Sequence, residues 1–389
     1  MENTRRIRVL ISGASIGGPA LAYWLGRQGH EVTVVERAPA LRPGGQAVDF
    51  KGATHRTVLT RMGILDDVRK HQTGGTDLPI VDHNGRRITV MPGEFTGGEI
   101  EIQRGDLSRL LYERSSATCS YVFGDSIASM TETPNGVDVT FEHAEPATYD
   151  LVVGADGIHS NVRRLAFGPE SDYVKHLGYY YALADLDAQD ANGMYNEPGR
   201  MVSVGGSKAA AMFVFASGPI TYDRYDTEQQ KRIVAAAYAN GGWRIPRLVA
   251  ALPDARDMYL DSISHVKMDA YSNGRAVLLG DAGYGNTLGG FGTGLAVVGA
   301  YVLAGELERE LARPDGDIRA ALRRYTEVFL PYARKVANQG SAGKFLAPAT
   351  RRGIRARNWM FKRRFMMAWM LWITDRFATN IELPDYPLR

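Results

Sequence analysis

Glycines at strand ends, a serine among them, and single acids just beyond are the residues of this chain best suited to holding a phosphorylated ligand. The first group is GASIGG, with Gly13, Ser15, Ile16, Gly17 and Gly18, followed by Glu36 and Arg37 in VVER. Gly13 permits a tight turn out of a strand, and Gly18 lets the next helix sit close to the sheet. Pro19 suits a helix's first turn, where its missing N–H is no loss. Amides at such a helix start, together with the helix dipole, favour a pyrophosphate. Glu36 can accept hydrogen bonds from ribose hydroxyls. Ser15 stands where a middle glycine is usual and hinders the approach slightly, which Gly17 relieves.

The elements that must position these residues are legible around them. Val9–Ile11 form an apolar strand, Pro19–Arg27 a helix closed by Gly29, and Val32–Val35 a second strand. Strand, turn, helix, strand and terminal acid make up the βαβ dinucleotide-binding fingerprint. A second strand runs into a glycine turn in DLVVGADGIHSNVRR, where Asp156 and the glycine amides could meet a pyrophosphate and a helix starts near Ser160. A third such segment is GRAVLLGDAGYGNTLGGFGTGL, with Asp281 at a strand's carboxyl end and a long helix from about Leu295 to Leu311. So many glycines carry an entropic cost. Their use points to close approach of the backbone, through Gly292, Gly294 and Leu295, to a flat ring.

Between these segments the pattern changes. Arg42 and Asp49 follow the second strand. Asp106 is placed to cap a helix over Leu107–Ser115, and Arg104 just before it can pair with a phosphate or with Asp106. His83-Asn84-Gly85 reads as a hairpin turn. Tyr121–Phe123 and Val137–Phe141 read as antiparallel strands, with a turn at Pro134-Asn135-Gly136. From Tyr179 to Phe215 aromatics and methionines alternate as in a sheet. One face of that sheet, with Tyr181, Met212, Phe213, Phe215 and the cationic Arg200, could line an apolar pocket; the plainer reading of any one of these aromatics is core. Residues 227–252 are helical and are broken at Gly241–Pro246. The basic, Trp- and Met-rich tail has an apolar block, Phe365–Ile373, too short to span a bilayer. It reads as a packing helix that bridges domains rather than as a membrane-surface element.

Composition bounds the rest. At 389 residues, about two domains are expected. A net charge of +3 gives no case for nucleic acid. A single cysteine, Cys119, excludes an intramolecular disulfide and a thiolate metal cluster and fits a reducing cytoplasm. No metal site is expected.

Taken together, the three glycine segments resemble those of the FAD-dependent aromatic hydroxylases, the single-component flavin monooxygenases similar to para-hydroxybenzoate hydroxylase and the tetracycline-inactivating enzymes. The resemblance runs from Ile7 to about Leu311. It implies an α/β fold: a Rossmann-like FAD-binding domain (residues 1–70, 100–170 and 265–330), a β-sheet substrate domain (71–99 and 171–264) and a C-terminal helical segment (331–389). It implies FAD, with NAD(P)H as a transient co-substrate. Gly13, Ser15 and Gly18 would face the pyrophosphate, and Glu36 and Arg37 the adenosine ribose. Arg104 would lie near the flavin, Asp156 near FAD and NAD(P)H, and Asp281 at the ribityl chain. Asp49 would be a flavin-proximal acid, and Arg200 a substrate contact. The family's Ala-His pair is Gly283-Tyr284 here, and Leu288 stands near the place of a family proline.

The implied reaction hydroxylates an aromatic or polycyclic small molecule, polyketide- or antibiotic-like, through a flavin hydroperoxide. The cofactor carries that chemistry, so no catalytic side chain is assigned. The alternatives are a flavin-dependent epoxidase and a flavin- or drug-binding protein without turnover. A monomer or homodimer is expected.

Overall fold

The computed structural model describes residues 5–42, 45–93, 99–186, 192–205, 211–337, 342–363, 365–366, 381 and 383–386. The chain begins with β1 (Arg8–Ser12), α1 (Gly17–Arg27), β2 (Glu31–Glu36), β3 (Ala47–Phe50), α2 (Gly52–Arg61), α3 (Leu65–Lys70), β4 (Leu78–Val81) and β5 (Arg87–Met91). It continues through β6 (Ile100–Gln103), α4 (Arg104–Ser115), β7 (Ser120–Phe123), β8 (Ile127–Thr133), β9 (Gly136–Phe141), β10 (Ala147–Tyr149), β11 (Leu151–Gly154), α5 (Asn161–Ala166) and α6 (Glu170–Tyr173). Next come β12 (Val174–Ala184), β13 (Gly193–Glu197), β14 (Arg200–Val204), β15 (Ala211–Ala216), α7 (Thr227–Ala237), α8 (Ile245–Ala251) and β16 (Met258–Val266). Last are β17 (Ser272–Asn273), β18 (Ala276–Leu278), α9 (Asp281–Tyr284), α10 (Gly292–Leu311), α11 (Ile318–Ala337), α12 (Ala342–Leu346) and α13 (Arg351–Phe361).

Two large sheets result. One has strand order β17-β18-β11-β1-β2-β7 and is parallel except at β17. The other has order β16-β12-β15-β14-β13-β4-β5 and is antiparallel except where β13 meets β4. The parallel sheet is apolar throughout its centre: Val9, Leu10, Ile11, Leu151, Val152 and Val153 are fully buried, as helices on both faces require. α10 is buried on nearly every side, which its all-round apolar sequence demands. It packs between α1 and α11.

The seven-stranded sheet is also covered on both faces. One face, with Tyr180, Val202, Phe213 and Phe215, packs on α7 and α8. The other, with Tyr179, Tyr181, Met194, Met201, Val214 and Ile263, packs toward α12, α13 and Leu288. α13 lies against β5 and β13. Near the C-terminus, residues 383–386 lie as a non-helical strap on α10. Tyr386 fills the space over Gly305 and donates to Glu306, and Arg61 pairs with Asp385.

Three local expectations are corrected. Tyr121–Phe123 forms an edge strand parallel to β2, not an antiparallel one. The helix after Gln103 already starts at Arg104, so Asp106 lies inside its first turn and pairs with Arg109 instead of capping it. The long helix starts at Gly292, not Leu295. Of the apolar block Phe365–Ile373, residues 367–373 lie outside the described residues.

Candidate functional site

The glycine segments meet at the carboxyl ends of β1, β11 and β18, where open parallel sheets bind ligands. Gly13 leaves β1 at φ 109°, and a β-carbon on it would stand 2.4 Å from the Ala155 carbonyl oxygen. The first and second turns are therefore in contact. A β-carbon on Gly17 would touch Leu279 at 3.5 Å and Ala296 at 3.6 Å, and one on Gly280 would touch Ala296 at 3.4 Å. These contacts bring the third segment against the start of α1. Ile16 is buried, so its contribution to the turn is backbone.

Side chains brace this cradle. Arg104 donates to Ser15 Oγ through Nε (3.2 Å) and Nη2 (2.9 Å). Ser108 donates to the Ser15 carbonyl at 2.8 Å. Glu36 accepts from the amides of Ala14 (2.8 Å) and Ala38 (2.9 Å), which fixes the acid at the end of β2. Arg37 turns outward to Glu142 at 3.0 Å and lies over the Tyr225 ring. Asp49 is buried on β3, in register with Glu101 of β6.

Asp156 has a different role from the one the sequence suggests. Its carboxylate accepts from Ser160 Oγ and from the amides of Asn161 (2.8 Å) and Val162 (3.1 Å). It braces its own loop and the start of α5 instead of facing a pyrophosphate. Burial pushes its carboxyl up, against those hydrogen bonds.

Asp281 is open. It has exposed surface, yet burial pushes its carboxyl up and Arg104 pulls it part of the way back. A β-carbon on Gly292, at the start of α10, would stand 3.2 Å from Asp281 Oδ1. A β-carbon on Gly294 would overlap the ring of buried His55. His55 Nδ1 accepts from the Lys51 amide at 3.0 Å, and burial with nearby Lys51 lowers its pKa to about 4, so it is neutral. Leu295 is buried behind this helix start. A backbone cradle with no room for side chains, with Arg104 and Asp281 open to it, fits a long phosphorylated cofactor ending in a flat ring.

The seven-stranded sheet supplies the opposite wall. Tyr181 lies within electrostatic reach of both Arg104 and Asp281. Met212 shares that face with Tyr181. Phe213 and Phe215 do not: strand alternation turns them to the far face, with Phe213 edge-on to Tyr238 at 5.1 Å. Arg200 pairs in register with Phe215 and goes with them, donating to the carbonyls of Ala237 and Ala239 and to Glu197. These three are corrected from pocket lining to the core and outer edge of the sheet.

A family model described as "FAD binding domain" matches residues 6–339. The chain belongs to this family. A flavin-dependent monooxygenase from an unknown prokaryotic organism is 35% identical over 406 residues, covering 99% of this chain and 100% of that protein. An uncharacterised protein of Mycobacterium tuberculosis strain H37Rv is 41% identical over 315 residues, covering 77% of this chain and 84% of its own length. The crystal structure of the tetracycline destructase Tet(55) superposes with a TM-score of 0.80 at 32% identity, covering 99% and 100% of the two chains. The chain is thus a flavin-dependent monooxygenase of the aromatic-hydroxylase type, and FAD is its cofactor.

Within this family the Gly283-Tyr284 departure has a packing explanation. Tyr284 is buried among Tyr271, Tyr325 and Phe329, and its hydroxyl lies where a β-carbon on Gly299 would be, 2.4 Å away. The larger side chain is accommodated by the small residue on α10. Leu288 sits at φ 58°, unusual for a branched residue, just before that helix.

Sequence reasoning misses a polar group between the two sheets. His159, in the loop after β11, holds Glu170 through Nδ1 (3.0 Å) and Asp261 through Nε2 (3.1 Å). Asp261 in turn accepts from Tyr259 at 2.7 Å. The run MYLDSISHV alternates as a strand, which is the one signal that could have placed Tyr259 and Asp261 on a common face. Among the described residues no helix is long and apolar enough to cross a membrane.

Proposed function

We propose that this enzyme hydroxylates an aromatic or polycyclic small molecule, with NAD(P)H as reductant, in the cleft between the glycine cradle and the seven-stranded sheet. The observation that carries the reading is the convergence of the three glycine segments, where a β-carbon on Gly13 would stand 2.4 Å from the Ala155 carbonyl oxygen and one on Gly292 3.2 Å from Asp281 Oδ1. Gly13, whose own amide donates to the Val35 carbonyl, turns the chain so that the amides of Ser15, Ile16, Gly17 and Gly18 would hold the pyrophosphate; Glu36 would meet the ribose, Arg104 and Asp281 the middle of the cofactor, and Gly292, Gly294 and Leu295 its ring, while Arg37 stays with Glu142. FAD, when bound and reduced, supplies the activation of dioxygen. Tyr181 and Met212 orient the substrate above the ring, and the apolar sheet face keeps water out. A polycyclic substrate is supported by the tetracycline destructase, similar along its whole length.

The test is threefold. The purified protein is yellow, it consumes NADPH faster when a phenolic or polycyclic compound is added, and the product gains the mass of one oxygen atom. A colourless protein that FAD does not reconstitute overturns the reading.

A further inference from the structure

The charge of this chain is not spread evenly. From Val328 to Thr374 the sequence has ten lysines and arginines and no aspartate or glutamate. That stretch carries +10, so the rest of the chain carries −7 within an overall charge of +3. Such segregation points to an anionic partner.

The structure gathers part of this charge on one side of α13. The inner side of the helix packs, as expected of the tail: Arg357, Asn358 and Phe361 are buried. Arg357 donates to the carbonyls of Phe345 (3.0 Å) and Leu346 (2.9 Å) and to Asn196 Oδ1 on β13 at 2.7 Å, which clamps the helix to the seven-stranded sheet. The outer side is exposed. Arg352, Arg355 and Trp359, at i, i+3 and i+7, stand in one row. Lys362 and Arg363 continue it, because the last turn carries on past the helix end: their amides donate to the carbonyls of Trp359 (3.1 Å) and Met360 (3.0 Å).

Two features of this row go beyond a solvated helix face. First, its cations have no acids. On other elements exposed arginines meet carboxylates, as Arg109 meets Asp106 and Glu113, Arg114 meets Asp67 and Arg324 meets Glu327. Among the described residues none of Arg351, Arg352, Arg355, Lys362 and Arg363 is paired with a carboxylate. Second, the row holds apolar side chains in water. Trp359 is 50% exposed at its middle, with the Arg363 guanidinium 5.3 Å from the ring centre. Phe365, just beyond, is 71% exposed, and β5, the edge strand against which α13 lies, exposes Ile88. Five large apolar side chains are exposed among the described residues, and these are three of them.

We propose that the outer face of α13 docks this enzyme on the surface of an anionic lipid bilayer. Trp359 and Phe365 enter the headgroup level, and Arg352, Arg355, Lys362 and Arg363 meet the anionic headgroups. A helix face is convex and suits a plane, whereas single-stranded nucleic acid is held in grooves. The contact is peripheral, since among the described residues no helix is long and apolar enough to cross a membrane. It is also reversible: each cation near such a surface contributes about fivefold to partitioning, and salt screens that contribution. None of the glycine cradle takes part, so the proposal stands or falls apart from the monooxygenase reading.

The experiment sediments the FAD-loaded full chain with vesicles of phosphatidylcholine alone, and of phosphatidylcholine and phosphatidylserine in equal parts, at low and at high salt. The expected result is a preference of about tenfold or more for the anionic vesicles at low salt, lost at high salt. The double variant Arg352→Gln/Arg355→Gln should partition about ten- to thirtyfold more weakly, with flavin content and melting temperature unchanged. Trp359→Ala should weaken binding at both salt concentrations and leave the salt dependence as it is. Three results overturn the proposal: a yellow protein that stays in solution with anionic vesicles, equal partition to the two kinds of vesicle, or a double variant that binds like the native protein. Two further results overturn it by giving the row another occupant. One is tighter binding to a poly(U) oligonucleotide than to anionic vesicles, lost in the double variant. The other is a dimer in sedimentation without vesicles that the double variant dissolves.

Discussion

Arg104 donates two hydrogen bonds to the hydroxyl of Ser15, joining the first turn of α4 to the glycine turn after β1. Its charge also bears on Asp281 across the cleft. One side chain thus ties together two of the three segments that make the cradle. Arg104→Ala is expected to weaken FAD binding by roughly ten- to a hundredfold, the loss typical of a charged hydrogen bond. Thermal unfolding of the FAD-free protein should shift little, because Arg104 is half-exposed. Titration of the FAD-free protein with FAD, followed by flavin fluorescence, measures the first effect and calorimetry the second.

Gly18 leaves no such latitude. A β-carbon there would stand 1.9 Å from the Gly13 carbonyl oxygen, and backbone cannot yield as a side chain can. Gly18→Ala should cost about 2 kcal/mol or more in stability and abolish FAD retention. Flavin content after gel filtration, alongside the melting temperature, checks both.

The two faces of β15 separate binding from folding. Met212→Ala should raise KM for the substrate with little change in melting temperature. Phe213→Ala, one residue on and fully buried, should cost about 3–5 kcal/mol. Equal losses of stability in the two variants would contradict the assignment of faces.

Tyr284 and Gly299 form a size-matched pair. Gly299→Ala should destabilise by about 1–3 kcal/mol, because its methyl group meets the Tyr284 hydroxyl. Tyr284→Phe removes that oxygen at small cost, since its hydrogen bond to the Leu295 carbonyl is long at 3.4 Å. The double variant should recover part of the loss, a coupling that denaturant unfolding of all four proteins can measure.

Stability should also follow the charge of His159. Burial lowers its pKa, but Asp261 and Glu170 outweigh burial and raise it from 6.5 to about 9. A raised folded-state pKa stabilises fully below 6.5 and ceases to do so as pH passes about 9. The contribution at lower pH is on the order of 3 kcal/mol. Asp261 and Glu170 are lowered, so their share is present above their ordinary values of 3.8 and 4.5 and is lost as pH falls below them. Melting temperature against pH should fall at both ends, and His159→Gln should flatten the alkaline limb.

How much of this could be read from residue order depended on the kind of signal. Gly13 and Gly280 announce themselves because positive φ and close backbone approach leave few other choices. The face of β15 was hidden. Both sides of the seven-stranded sheet are covered, so apolar residues occur at Met212, Phe213 and Phe215 alike and alternation carries no polarity. The direction of the Ser120–Phe123 strand was hidden for a related reason: four residues do not reveal whether their partner runs parallel. Asp156 shows a different limit. An acid in a glycine turn looks the same in sequence whether it meets a ligand or caps its own helix. The contact of His159 with Asp261 was invisible because the loop after β11 and strand β16 meet only in the fold.

The strand order of the parallel sheet has a consequence for synthesis. β18 lies beside β11, yet five strands of the seven-stranded sheet, β12 to β16, are encoded between them. On the ribosome, the early part of the chain can pair β1 with β2 and β11 but has no floor beneath the ring site until Asp281 and Gly292 emerge. Flavin capture is therefore a late event in the life of the nascent chain, and the colour of the protein reports that its distant halves have found each other.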